Sequence, residues 1–345
     1  SVKLFICRNR YLNPRKKRFM TRLISFVWLM MFVPGSLNAA PSIKYRISMP
    51  EPHTHYFHVD MEIRDLEGSH ADISMPVWAP GSYLNREFAR HIDFFEAADM
   101  RDEALPWTKT DKDTWRINLA GRNEVVVRYR VYAFELSVRT SHLDESHGYI
   151  TGTSVFMYLD GFTHLPLALE IIPHPDFSRI STALPMAGEP GHYSARDYHQ
   201  LVDCPIEIGN HEIIRFEVEG VIHEMAMYGN ANYDPVRETL MADMERLIRD
   251  MTAVFGENPN DYYLFIIHHT DHGGGALEHE NSTTFLVDRW TYTPGRNYIN
   301  FLSLVVHEYF HVWNVKRIKP ASFIPYLYDR EMYTDLLWML EGFTS

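Results

Sequence analysis

The sequence has few cysteines, few basic residues outside its N-terminus and no long apolar run. Only two cysteines, Cys7 and Cys204, occur among 345 residues, which excludes a fold built on several disulfides. The formal net charge is −12, and residues 1–39 contain eight basic residues and no acidic one, so the remainder is more acidic still. Such a surface repels nucleic acid and anionic membranes, and we expect neither as a partner.

The main apolar run lies near the N-terminus and is typical of an export signal. After Met20, a basic residue precedes an apolar stretch over 23–33, and a Pro-Gly pair and small residues up to Ala39 follow it. This stretch is too short to cross a bilayer comfortably. We therefore expect residues 1–39 to be an upstream extension and a signal peptide, and the protein to be exported, periplasmic or secreted. An uncleaved anchor is the alternative.

The remaining chain changes character near residue 220. Residues 41–219 contain short alternating runs such as HYFHVDMEI and EVVVRYRVYAFEL, separated by turn formers, and predict an all-β, sandwich-like domain. Residues 220–345 mix strands and helices, so we predict an α+β multidomain protein. The chain ends at Ser345 inside a predicted helix, and we expect the second domain, 220–345, to be incomplete.

Three helices are predicted in the second domain. The first, over 234–256, is amphipathic and ends at Gly256. The second extends from about 300 to 316, and the third begins near 331. The apolar face predicted for the first helix comprises Leu240, Met244, Leu247, Met251 and Val254. The basic run NVKRIK (314–319) suits the C-terminus of the second helix, where cations are favoured.

The second helix contains VVHEYFHVWNV (305–315), which matches a metal-binding pattern. His307 and His311 are four residues apart, so a helix presents both imidazoles on one face to a single ion. Glu308 projects from the adjacent side, where a carboxylate can take a proton from an activated water. The alternative is a chance match on a half-buried helix.

A catalytic zinc needs three protein ligands, and the sequence offers one strong candidate for the third. Glu341 lies 30 residues after His311 in the apolar stretch LLWMLEGFTS, where a lone carboxylate is costly. Asp335 points elsewhere on the same helix, and Asp329 and Glu331 lie in a polar loop. We predict Glu341 as the third ligand, with a solvated helix residue as the alternative.

Several segments together resemble the glycyl aminopeptidase family of zinc peptidases. HEYFHVWNVKRIKP and LLWMLEGFTS resemble its zinc-binding segments, and PVWAPGSYLNREFARHI (76–92), DCPIEIGN (203–210) and GGGALEHENSTTF (273–285) are similar to further family signatures. Members are glutamate-liganded zincins with an N-terminal β domain, a thermolysin-like catalytic domain and often a PDZ module.

The resemblance implies a site and an activity. Zn²⁺ would be held by His307, His311 and Glu341, with Glu308 as general base. The substrates would be peptides, cleaved by an aminopeptidase that prefers small N-terminal residues such as Gly or Ala. A zinc endopeptidase with the same centre and a non-catalytic peptide-binding scaffold are the alternatives. No oxyanion-stabilising residue can be assigned before Ser345, so this chain can hold the zinc ligands and still be inactive.

The resemblance also implies that Glu278 lies on the substrate side and binds the peptide's free amine. Gly274 and Gly275 allow close backbone approach, and the strand that follows could pair with an extended substrate. His279 belongs to the same predicted substrate-binding segment. An ordinary loop acid is the alternative for Glu278, because Glu280 is also nearby.

Overall fold

The computed structural model describes residues 40–345. The predicted signal peptide and upstream extension lie outside these residues. Within them, no helix is long and apolar enough to cross a membrane.

The first part of the described chain is built from strands with alternating burial. In Tyr56–Arg64, for example, Phe57, Val59, Met61 and Ile63 are at most 1% exposed, because alternate side chains of a strand face the same side. The strands are β1 (Ser42–Ser48), β2 (Tyr56–Arg64), β3 (His70–Ser74), β4 (Ile92–Ala98), β5 (Trp107–Asp111), β6 (Thr114–Asn118), β7 (Val125–Tyr132), β8 (Phe134–Ser137), β9 (Thr140–Leu143), β10 (His147–Ile150), β11 (Tyr158–Leu159), β12 (Leu167–Ile172), β13 (Arg179–Thr182), β14 (His192–Ala195) and β15 (Ile206–Gly209).

These strands form three sheets around a common core. The strand orders are β14-β12-β1-β2-β7-β4, β13-β15-β10-β9-β8 and β11-β3-β6-β5. Most pairs are antiparallel, whereas β1 and β12 are parallel. One short α-helix, α1 (Tyr198–Val202), lies among the described strands, and the side chain of Asp197 accepts a hydrogen bond from the backbone N–H of Gln200 at its N-terminus. The run 124–136, predicted as one strand, forms two strands, β7 and β8.

The second part contains one five-stranded sheet with helices. Its strands are β16 (Glu212–Val218), β17 (Val221–Tyr228), β18 (Tyr262–Thr270), β19 (Ala276–Glu278) and β20 (Ser282–Asp288), in the order β16-β17-β18-β20-β19. The sequence boundary at 219/220 would separate β16 from its antiparallel partner β17. We propose a boundary just before Glu212, which keeps the sheet whole. The predicted α+β class is confirmed.

Helix α2 (Arg237–Phe255) ends as predicted at Gly256, which has a φ of +83°. Its buried face differs from the prediction, because Val254 is 66% exposed. The buried residues of α2 are Leu240, Met244, Ile248 and Thr252. The buried residues follow one another at four-residue steps, whereas the predicted face alternated four- and three-residue steps, and its members Leu247 and Met251 are only half-buried.

The two helices that carry the metal-binding motif residues are shorter than predicted. Helix α3 covers Arg296–Phe310 rather than 300–316, and α4 covers Leu337–Gly342 rather than beginning near 331. The chain turns after Phe310, and Val315 in this turn has a φ of +128°. Residues after 310 therefore leave the helix axis, which determines where the side chains of the turn point.

Candidate metal centre

The metal-binding motif straddles the end of α3. Phe301, Val305 and Tyr309 are buried at four-residue steps and attach the helix to the sheet, so the ligand side chains project from a fixed helix. His307 lies in the last turn and His311 is the C-terminal cap. The His311 side chain is 1% exposed and that of His307 24% exposed.

Three predicted ligand atoms converge. His307 Nε2 and His311 Nε2 lie 3.2 Å apart, and Glu341 Oε2 lies 3.4 Å from the first and 3.7 Å from the second. Tetrahedral zinc with bonds of about 2.0–2.1 Å separates its ligand atoms by about 3.3 Å, so this donor set fits such an ion. The structure therefore brings together residues that are 30 positions apart in the sequence.

The tautomer of His311 suits a metal ligand. Its Nδ1–H donates to the backbone carbonyl of Asn314 at 2.8 Å, which leaves the lone pair of Nε2 directed towards His307 and Glu341. The hydrogen bond from His307 lowers the pKa of Glu341, against the effect of burial. This shift favours the ionised form of Glu341 that a carboxylate ligand needs.

Glu308 and Glu278 add two buried carboxylates beside this set. Both are about 95% buried, and their carboxylate oxygens lie within 4.8 Å of each other and of a ring nitrogen of His311. Among residues 40–345, Glu308 Oε2 and Glu278 Oε1 have no hydrogen-bond partner. Burial, with the charges of Glu278 and Glu341, raises the pKa of Glu308 to about 9. Two buried carboxylate oxygens without partners favour a bound cation at this position.

Glu278 ends β19, the edge strand of the sheet. β19 pairs with β20 on one side, and no strand of the described chain pairs with its other side. Gly275 immediately before it has a φ of +120°, which favours glycine. A Cβ on Gly273 would lie 2.1 Å from the carbonyl carbon of Val287, whereas one on Gly274 would meet no described atom within 4 Å. Gly273 therefore packs against the backbone of β20, whereas Gly274 leaves open space beside the chain.

Two open cavities border the site. One of about 650 Å³ is lined by His307 and Glu308, and one of about 370 Å³ is lined by the glycine run 273–275. Both are also lined by Asn300 and Leu304 of α3, so they are neighbours along that helix. An extended ligand could therefore reach the motif residues along the glycine run.

A buried ion pair that the sequence analysis missed supports the loop after β19. Asp203 accepts hydrogen bonds from Lys316 Nζ at 2.8 Å and from the backbone N–H of Glu280 at 2.9 Å, and its Oδ1 lies 3.3 Å from His279 Nδ1. Burial raises the pKa of Asp203, but Lys316 and His279 outweigh it and hold that pKa well below its usual range. His279 is thus buried against Asp203.

The assignment of Lys316 to a basic helix terminus was therefore wrong. Its side chain is 3% exposed and points inwards, because the chain has left the helix axis after Phe310. The available signal was the pair of acidic residues, Asp203 and Glu207, in the largely apolar segment around DCPIEIGN.

The first part of the chain also reaches the site. Gly81, in the APGS turn, has a φ of +89°, and a Cβ there would lie 2.7 Å from Glu278 Oε1. Tyr83 stacks on Phe323 at a ring-centroid distance of 5.4 Å, and burial together with the charge of Glu278 raises its pKa. The sequence analysis used this segment as turn punctuation and a family signature, and it did not connect the segment with Glu278.

Two stretches of the chain match models of one protein family. Residues 44–210 match the family described as the peptidase M61 N-terminal domain, and residues 300–345 match M61 glycyl aminopeptidase. The chain belongs to the M61 glycyl aminopeptidase family. The family prediction made from the sequence is thus confirmed, and the M61 N-terminal domain match ends at residue 210, just before β16.

Two solved structures are also similar to this M61 chain. An aminopeptidase N family protein from Idiomarina loihiensis is 35% identical, with a TM-score of 0.83 over 88% of this chain and 53% of that one. An M1 zinc metallopeptidase from Deinococcus radiodurans is 13% identical, with a TM-score of 0.47 over 78% of this chain and 63% of that one. The M61 chain thus spans about half the length of the first protein. Comparison with curated proteins gave no match.

Proposed function

We propose that this chain is a zinc metallopeptidase of the aminopeptidase type. The observation that carries the proposal is the convergence of His307, His311 and Glu341, with ligand-atom distances of 3.2–3.7 Å, beside the buried carboxylates of Glu308 and Glu278. Membership of the glycyl aminopeptidase family agrees with it. The preference for small N-terminal residues, Gly or Ala, rests on the family resemblance.

The proposed mechanism assigns each carboxylate one task. Zinc held by His307, His311 and Glu341 would supply Lewis acidity, which polarises a carbonyl and lowers the pKa of a water. The charge of a bound zinc would lower the raised pKa of Glu308 again, so that Glu308 Oε2 can accept the proton of the attacking water and then deliver it to the leaving amine nitrogen. Its burial keeps this proton transfer away from bulk solvent.

Glu278 gives the proposed enzyme its exopeptidase character. Its buried carboxylate lies close to Glu308 and can bind an α-ammonium group by a charge-assisted hydrogen bond. The open edge of β19 offers backbone groups to an extended peptide. Together they would hold the first residue of a peptide beside the general base, so that the first peptide bond is the one cleaved.

The test compares the wild-type chain with Glu308→Gln, which keeps the shape of the side chain and removes its basicity. We expect about one zinc per chain in both proteins by elemental analysis, and hydrolysis of an Ala- or Gly-initiated peptide slower by about 10²–10⁴-fold in the variant. If neither protein holds near-stoichiometric zinc, the proposed site is wrong.

A second comparison separates the aminopeptidase from an endopeptidase. A peptide with a free N-terminus and its N-acetylated copy are offered to the same protein. We expect cleavage of the free-amine peptide only, because acetylation removes the charge that Glu278 would bind. Equal cleavage of both peptides would favour the endopeptidase.

We also propose that the protein is exported, on the basis of the signal-like segment that ends at Ala39. The intact mass of the protein isolated from the periplasm or medium tests this. A mass that begins after Ala39 is expected, and one that includes residue 1 would contradict the proposal.

A further inference from the structure

The third predicted ligand lies on an element that cannot hold its own position. Helix α4 has six residues, and an isolated helix of that length is not stable in water. The side chain of Glu341 is 46% exposed, and of its neighbours in α4 only Leu340 is fully buried. Contacts from elsewhere in the chain must therefore hold the Glu341 carboxylate near the two histidines.

Leu340 packs against Val315 and Phe323, and the amide of Asn314 makes the polar contacts. Its Nδ2 donates to the backbone carbonyls of Met339 at 3.2 Å and Leu340 at 3.0 Å, and it lies 3.1 Å from Thr344 Oγ1. These carbonyls belong to the residues immediately before Glu341. These carbonyls also accept local hydrogen bonds, from the backbone N–H of Phe343 at 3.4 Å and from Thr344 Oγ1 at 2.6 Å, and the buried Asn314 amide adds a donor from outside α4.

The backbone of the same residue orients a second ligand. The carbonyl oxygen of Asn314 accepts the hydrogen bond of His311 Nδ1–H at 2.8 Å. Asn314 is 7% exposed and lies in the turn that follows α3, next to Val315 with its φ of +128°. One buried residue therefore connects the orientation of His311 to the position of α4.

We propose that Asn314 is a positioning residue, whose amide holds Glu341 at coordinating distance from His311. The inference rests on the proposed zinc site and concerns how this chain assembles it. Any substitution retains the backbone carbonyl that serves His311, so a side-chain variant removes only the link to α4. Loss of this link should therefore weaken metal binding through Glu341 alone.

The experiment is a double-mutant cycle on zinc affinity. It uses the wild-type chain, Asn314→Leu, Glu341→Ala and the double variant, each titrated with zinc against a competing chelator. Leucine approximates the size of asparagine without its donors. Substitutions of groups that support ligands typically cost about 10–100-fold in metal affinity, and we expect a loss of that size for Asn314→Leu. In the Glu341→Ala background, the same substitution should cause no further loss.

A spectrum gives a second readout. In the Co²⁺-substituted protein, Asn314→Leu should shift the visible absorption towards the spectrum of Glu341→Ala, because both lose the same ligand. Asn232→Leu is the matched control, since it removes an amide hydrogen bond to Thr293 that no ligand residue shares. It should leave zinc affinity and the cobalt spectrum unchanged. Asn314→Ser keeps one donor, should fall between wild type and leucine, and replaces the leucine variant if that does not fold.

The outcomes separate the inference from the proposed function. An unchanged affinity in Asn314→Leu, or an equal loss with and without Glu341, would overturn the inference while zinc binding by the wild-type chain stands. A wild-type chain without zinc affinity would overturn the proposed site and the inference with it.

Discussion

Replacing Lys316 by methionine should destabilise the protein more than its place in a basic run suggests. Methionine has a similar length and no charge, so the change leaves the Asp203 carboxylate buried without its cation. Lys316 Nζ lies 2.8 Å from Asp203 Oδ1, and the two side chains are 3% and 2% exposed. The remaining partners of Asp203 would be the backbone N–H of Glu280 and the ring of His279.

The size of the effect follows from burial. Two unit charges 2.8 Å apart attract by about 6 kcal/mol at an effective dielectric constant of about 20. The protein has already lost the hydration of both groups, and removal of one partner from a buried pair costs about 3–5 kcal/mol in the free energy of unfolding. We expect Lys316→Met to lower it by that amount in urea denaturation. Adding Asp203→Asn should recover part of the loss, since no unpaired buried charge remains.

The pH dependence provides a further check. Lys316 lowers the pKa of Asp203, so the ionised carboxylate stabilises the folded protein. This contribution to the free energy of unfolding is present above the unfolded-state pKa of about 3.9 and is lost as the pH falls below it. Burial lowers the pKa of Lys316, but Asp203 outweighs it and raises that pKa. The contribution of Lys316 is therefore complete below about pH 10.4 and is lost above it. The difference between wild type and Lys316→Met should be constant between about pH 5 and about pH 9.

The matched control is Lys44→Met. Lys44 Nζ lies 2.7 Å from Glu170 Oε2, but its side chain is 44% exposed, so loss of that pair should cost less than about 1 kcal/mol. If Lys316→Met and Lys44→Met destabilise the protein equally, the reasoning from burial is refuted. A strong pH dependence of the Lys316→Met effect near neutrality would refute the assigned ionisation states.

Two other substitutions test contacts made by the N-terminal, strand-rich part of the chain, one beside Glu278 and one in the buried interior. Gly81→Ala would bring a methyl group to 2.7 Å from Glu278 Oε1. The KM for free-amine peptides should therefore rise about tenfold or more, with unchanged zinc content. An unchanged KM in steady-state kinetics would contradict a role for this contact. Glu207→Gln should lower the free energy of unfolding, measured in urea, by about 3 kcal/mol. The fully buried carboxylate accepts hydrogen bonds from His147 at 2.9 Å and from His268 at 2.8 Å, and an amide can accept only one of them. His147 and His268 lower the pKa of Glu207 to about 2 against the effect of burial, so this contribution should disappear as the pH falls below about 4.

Local patterns were sufficient for much of the fold. Alternating burial identified strands such as Tyr56–Arg64, and Gly256 ended α2 as predicted, because these features depend on neighbouring residues. The precise ends of α3 and α4 were wrong. The backbone hydrogen bonds after Phe310 are still local, but distant side-chain contacts help to hold this turn and α4. Asn314, for instance, is bound to residues about 25 positions later in the chain.

By itself, the sequence determined the α+β class and the family, and it predicted the metal-binding motif residues. The four-residue step from His307 to His311 is a local signal, because helix periodicity acts on short segments. Glu341 was predicted as an isolated carboxylate in an apolar stretch, but its side chain is 46% exposed, so the cost of a buried charge does not explain its position. Only the tertiary structure decided that Lys316 is a buried partner of Asp203. That pairing joins residues 113 positions apart, and a charge is buried or exposed according to what the fold places against it.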